Sequence, residues 1–347
     1  MRPLHLRGPL VALCLVIASA AVPATASASL EDPVLDVVSI NGGAYGTNDL
    51  DVTVSAPWAG AVTMRLSNDG VSWSAATPMA PSIPWALDDA ATGGTSTIGN
   101  HAVWVQWFGA GDVLLETGYD SIVYDITPPV QSGLRVRIDP GKTVSTTSRV
   151  PFVITWLDDD HGGIGTENWD AERSTDSGSW SHIASPTYLP GFRYTFATGH
   201  TYRVRVRGID LAGNVGAWHT GPAFSVKGYQ ESSTSIRWTG TWSKVTSTSY
   251  WGGAMRTSTK SGSTAKLTFT GRRVALIARM GSNRGAVRIY VNGVSTAMVD
   301  LGAGTTAYRR VVWEKTWTTS ATRTITVKVL SVPGRTRADV DAFVTGS

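Results

Sequence analysis

The chain has 347 residues, with 30 Lys+Arg, 26 Asp+Glu, 14 Trp and a single cysteine, Cys14, so no disulfide can close within it. The formal charge of +4 hides a gradient: residues 30–129 hold 1 basic and 12 acidic residues (net −11), 130–227 hold 10 and 9 (+1), and 228–347 hold 17 and 5 (+12). Sparse charge, many Gly and no sustained helical period exclude a helical bundle. There is no GxSxG, HExxH or Gly-rich phosphate loop, and the five His beyond residue 28 stand singly, without metal-ligand spacing.

Residues 1–28 read as a secretory signal. Arg2 and Arg7 precede an apolar run, Pro9–Ala21, and small-residue cleavage sites follow at Ala24–Ala26 and Ala26–Ala28. No second long apolar run appears, so the sequence predicts an exported chain, extracellular or cell-surface associated, without a membrane span.

Region one, residues 35–128, has candidate strands at Asp51–Ala56, Ala61–Ser67, Ala102–Phe108 and Tyr119–Asp125, and closes on Ile126-Thr127-Pro128-Pro129. Region two, residues 130–227, has them near Leu134–Ile138, Val150–Leu157, Trp169–Arg173, Phe192–Phe196, Tyr202–Asp210 and Ala223–Val226. In Tyr202–Arg207 alternation puts Tyr202, Val204 and Val206 on one face and three Arg on the other, the period of a half-buried strand. Gly213 and Asn214 then supply turn chemistry, predicting a hairpin at a sheet edge. The two regions align as divergent copies, so that Trp73 matches Trp180, and both rings are expected in a core. A polar stretch, Gly228–Ser235, is expected to be a linker that few contacts cross. Region three, residues 229–346, has strands at Ala265–Thr270, Arg273–Arg279, Ala286–Val291, Arg309–Trp313, Arg323–Val329 and Ala338–Val344, with a hairpin tip at Val291-Asn292-Gly293.

These residues carry resemblances. Region two, with Trp156, Gly162–Gly165, Tyr202 and the AGNVGAW hairpin, resembles a fibronectin type III-like module of secreted bacterial proteins, Tyr202 standing at the place of a tyrosine corner. Region one resembles a bacterial immunoglobulin-like repeat through Ile40–Gly42, the SNDG-x-SWS run and the DxTPP end, but departs from it at Gly109–Leu114. Region three resembles the jelly-roll of the galactose-binding-like superfamily, which includes many carbohydrate-binding modules, through Trp242, Tyr250, Gly252-Gly253, Phe269–Gly271, the RIYVNG hairpin, Trp317 and the closing ADVDAFV. The implied fold is all-β: two tandem immunoglobulin/fibronectin III-like sandwiches followed by a jelly-roll β-sandwich.

Three functions compete. The first is a secreted, non-enzymatic binding or adhesion protein whose jelly-roll holds an extracellular polysaccharide or anionic cell-wall polymer. Its candidate ligand residues are Trp251, expected to be exposed in a Gly-flanked loop, Tyr250, and the cations Arg309, Arg323, Lys328, Arg335 and Arg337. A basic region attracts anionic chains with strong salt dependence, and nothing points to specific nucleic acid. The second is structural self-association, acidic head to basic tail. The third is an accessory or cryptic glycoside hydrolase, for which two of Glu167, Asp170 and Glu172 would supply the carboxylate pair. No cofactor is expected, with calcium on Asp158, Asp159 and Asp160 as the alternative to a solvated turn.

Overall fold

The computed structural model describes residues 37–184, 189–330 and 332–347; the signal-like residues 1–28 lie outside them. The described chain is all-β, interrupted by two 3₁₀ turns, Ala90–Thr92 and Trp251–Gly253.

In the first sandwich a three-stranded sheet (Ser39–Ile40, Asp51–Ser55, Ser82–Ala86) faces a five-stranded one built on Thr63–Ser67, Gly99–Phe108 and Leu114–Tyr124. Alternation decides which side chains enter: Val103, Val105 and Trp107 are buried together with Val52, Val54, Met64 and Leu66. The buried Trp107 indole N–H donates to the Ala56 carbonyl at 3.0 Å, so its one polar atom is satisfied.

In the second sandwich Val130–Ile138, Arg149–Asp159 and Gly191–Ala197 form one sheet. Thr166–Thr175 and His200–Asp210 lie in the other. Tyr202, Val204 and Val206 are buried, as their period predicts. The Tyr202 hydroxyl donates to the Ala197 carbonyl at 3.0 Å, which makes the tyrosine corner. The strand His200–Asp210 is not at an edge, however. It pairs with Thr166–Thr175 on one side and with His219–Thr220 and Phe224–Gln230 on the other.

The outward arginines of that strand build a ladder. The Arg205 guanidinium lies 4.4 Å from the Trp180 ring centroid and 4.3 Å from that of Trp218, while Arg207 lies 4.6 Å from Trp218. Trp180 is therefore half-buried on the outer face and not in the core that its repeat position predicts. Replacing it with Ala removes a cation–π contact and part of a ring, without opening a core cavity. A cost of about 1–2 kcal/mol is expected in urea melts, against the ~3–5 kcal/mol of a buried ring.

The third unit departs most from its predicted outline. Gly228–Ser235, the expected linker, begins inside a strand, Phe224–Gln230. Its first half pairs with His200–Asp210, and Lys227–Gln230 pair with Ala342–Thr345. A single 11-stranded sheet thus runs from the second unit into the third. The expected pair Ala265–Thr270 and Arg273–Arg279 is one strand, Thr264–Met280, and Ala307–Leu330 likewise joins two expected strands. The chain continues through Gly271 because a Cβ there would meet the Gly346 carbonyl oxygen at 2.4 Å; glycine lets the terminal strand Ala342–Gly346 close in. One hydrophobic cluster joins Phe152, Phe196 and Phe224 to Trp251, Ala275, Ile277, Val311, Ala342 and Val344, so the second and third units share a core. A second cluster (Leu267, Leu276, Val287, Ile289, Ile325, Val327, Phe343) fills the rest of the third unit.

Candidate functional site

Most of the residues marked by the sequence as ligand-binding hold the fold. Trp251 is 1% exposed, not displayed to solvent. Its indole N–H donates to Ser148 Oγ at 2.8 Å, and its backbone N–H to the Asp341 carboxylate at 3.1 Å. Tyr250 is buried beside it, its ring 5.7 Å from that of Tyr308. Arg309 takes a left-handed backbone conformation and donates to the Val144 carbonyl at 2.9 Å and to that of Ser249, tying the units together. Arg323 is buried over the Trp317 ring and donates to the Gly271, Ala321 and Thr319 carbonyls. Arg335 grips both oxygens of Asp300 at 2.9 Å, and Arg337 donates to Thr257 Oγ1 at 2.9 Å and to Asp339. Of the five cations, Lys328 alone projects from the sheet without a partner among the described residues.

Around Lys328 the strand register assembles a surface that the sequence reading missed. Lys328 stands directly opposite Arg288, and one row along, Lys266 stands directly opposite Arg237. In cross-strand order one row reads Thr239, Thr264, Lys328, Arg288, Met298, and the next begins Arg237, Lys266, Thr326, Tyr290. Arg237, Lys266 and Lys328 are exposed and Arg288 is half-buried. None of the four meets a carboxylate or other hydrogen-bond acceptor among the described residues. Strands ~4.8 Å apart make this a basic field roughly 19 Å across five strands. Two like-charged pairs directly opposite each other disfavour the fold by ~0.2–1 kcal/mol each. The signal was parity: Arg237, Lys266 and Arg288 each alternate with apolar neighbours (Ile236/Trp238, Ala265/Leu267, Val287/Ile289), whereas Arg323 shares the parity of Ile325 and Val327 and so turns inward.

A second cluster lies where the first sandwich meets the second. One oxygen each of Asp125, Asp160 and Asp210 lies within 4.8 Å of the others. Asp125 follows Leu114–Tyr124, Asp160 follows Arg149–Asp159, and Asp210 ends its strand. Backbone N–H groups aim them: Thr127 and Ile164 donate to Asp125, Gly165 to Asp160 at 2.6 Å, and Ala212 and Asn214 to Asp210. The Asn214 side chain bridges the Asp125 carbonyl and the Asp210 carboxylate at 2.8 Å each. The Ile164 side chain packs over Gly46, where a Cβ would meet its Cδ1 at 2.1 Å. Burial, reinforced by Asp210, Asp125 and Asp158, pushes the Asp160 carboxyl above the usual carboxylate range, against the Gly165 N–H.

The predicted run Asp158–Asp160 is thus divided. Asp158 accepts from Gln131 Nε2 at 2.8 Å and Trp169 Nε1 at 2.9 Å, and the exposed Asp159 caps its own turn by accepting from the His161 N–H; Asp160 alone faces the other two carboxylates. Of the hydrolase candidates, Glu172 is held by Arg205 and Asp170 by Arg207, at 2.5 and 2.8 Å.

No protein-family model matches the chain, and no curated protein matches it. Among solved structures it is similar to the fibronectin(III)-like modules of Clostridium thermocellum CbhA, with 13% identity and a TM-score of 0.34 over 53% of this chain and 90% of that one. It is similar to the exo-β-1,3-galactanase of Phanerochaete chrysosporium, with 12% identity and a TM-score of 0.27 over 88% of this chain and 99% of that one. It is similar also to a Paenibacillus xanthan lyase, with 10% identity and a TM-score of 0.29 over 88% of this chain and 36% of that one. Likenesses of this size say nothing about ligand or reaction.

Proposed function

We propose that the chain is an exported, non-enzymatic binding protein whose third unit takes an anionic polymer of the cell surface, a uronate- or phosphate-bearing chain, across the field of Arg237, Lys266, Arg288 and Lys328. The observation that carries this is the pair of like-charged cross-strand contacts, Arg288–Lys328 and Arg237–Lys266, with no carboxylate beside them. Folding alone disfavours that arrangement. A polyanion lying across the strands relieves the repulsion, and Thr264, Thr326 and Tyr290 supply hydroxyls in the same rows. Export rests on the charged, apolar, small-residue order of residues 1–28.

The test uses the full chain with polygalacturonate, a polyphosphate and a neutral β-glucan as probes. Binding to the two anionic chains is expected to weaken at least ~10-fold between low salt and ~0.5 M salt, as the Debye length shrinks. The double variant Lys266→Ala/Lys328→Ala should lose about 10-fold at low salt without losing stability, its melting temperature level or slightly raised, since both side chains are exposed and each faces an arginine. Binding that ignores salt and both substitutions overturns the reading. Salt-sensitive self-association without polymer binding supports head-to-tail assembly instead.

A further inference from the structure

We infer that Asp125, Asp160 and Asp210 form a binding site for a hard divalent cation, calcium by its chemistry, which fastens the first sandwich to the second. Their three oxygens lie within 4.8 Å of one another. One ion with calcium–oxygen bonds of ~2.3–2.6 Å can reach all three, and calcium accepts irregular carboxylate geometry, whereas magnesium demands a near-ideal octahedron and keeps its waters. The donor set is all oxygen, without His or Cys.

Two observations separate this cluster from an ordinary acidic turn. The first is charge. Asp125 and Asp210 are each 1% exposed, and no Lys, Arg or His pairs with any of the three among the described residues. Buried carboxylates without a counter-charge are strongly disfavoured, so a positive ligand or a shared proton is required. The second is a free acceptor. Asp160 Oδ1 is shut off from solvent and has no hydrogen-bond donor, although the other five oxygens each accept an N–H. Gly163 keeps room beside it, for a Cβ there would stand 2.5 Å from Asp125 Oδ2 and 2.6 Å from Asp160 Oδ2. Asp125 directly precedes Ile126-Thr127-Pro128-Pro129, so an ion held by all three carboxylates fixes the angle of that connection.

The full chain, stripped of metal with a chelator, is titrated with calcium chloride by calorimetry and melted with and without calcium. One calcium per chain is expected, with a Kd of ~10⁻⁴–10⁻³ M or tighter, and a melting temperature raised by about 5 °C at ~100 times Kd. Asp160→Asn should bind at least ~10-fold more weakly. Asp159→Asn, whose carboxylate is exposed and turned to its own loop, should bind like the parent. Calcium should also slow proteolysis at residues 126–129 in the parent, a readout that stands even if Asp160→Asn folds poorly. No heat and no thermal shift up to ~10 mM calcium overturns the site. So does stabilisation by mild acid alone, which would mean a shared proton, or an equal loss in the Asp159 and Asp160 variants.

Discussion

Trp251→Ala is expected to destabilise the protein by about 3–5 kcal/mol, and to do so as a seam rather than as a lost ligand platform. The ring is wedged where the second and third units meet. A Cβ on Gly228 would stand 2.9 Å from it, and its indole N–H reaches Ser148, 103 residues back in the chain. The substitution removes the largest apolar side chain on the third-unit side of the shared cluster and leaves the Asp341 carboxylate with a less shielded partner. Urea melts of a 130–347 fragment should show one transition for the parent, and for the variant either a lower midpoint by this amount or two separated transitions. A fragment beginning at Tyr229 should melt broadly, because it loses Phe224–Gly228, whose Lys227 and Gly228 pair with the terminal strand. A cooperative melt of that fragment, together with a cost below ~1 kcal/mol for Trp251→Ala, would mean that the shared core contributes little.

What the sequence revealed and what it concealed divide along a physical line. Alternation is local, so the strands His200–Asp210 and Ala286–Val291 and the buried face of Tyr202, Val204 and Val206 were legible. The Tyr202 corner was legible because its partner, Ala197, is only five residues away. The linker was misjudged because Gly228–Ser235 is polar in composition, yet a strand at a junction between two sheets needs only backbone groups to pair. Trp251 was misjudged for the same reason: its loop is Gly-flanked, but what covers it comes from Ser148 and Asp341, far away in sequence. The basic field was within reach of sequence, since parity separates Lys328 from Arg323. What parity does not give is register, and register alone places Lys328 opposite Arg288. The carboxylate cluster lay beyond reach. Asp125 and Asp210 stand in runs that mark a boundary and a turn, and only the packing of one sandwich on the next brings them to Asp160.

The second large effect concerns pH. Asp341 is fully buried; burial, with lesser contributions from Glu231 and Asp339, pushes its carboxyl up to about 7, against the opposing Trp251 N–H and Arg309. In the unfolded chain the same group titrates near ~3.9. Between these two values the folded state holds a proton that the unfolded state has released. This group's contribution to stability is therefore complete below pH ~4 and is lost as pH rises through about 7. Three pKa units correspond to at most ~4 kcal/mol, and local relaxation lowers the expected loss to about 2–3 kcal/mol. Asp341→Asn keeps an oxygen to accept the Trp251 N–H but cannot ionise. The parent and the variant should be about equally stable at pH 4, and the variant more stable by ~2–3 kcal/mol at pH 8. Other carboxylates and histidines titrate in the same range, so the quantity to measure is the difference between parent and variant in urea melts at each pH. A difference independent of pH would show that Asp341 is ionised throughout, and that Arg309, which already ties the third unit to Val144 and Ser249, outweighs the burial.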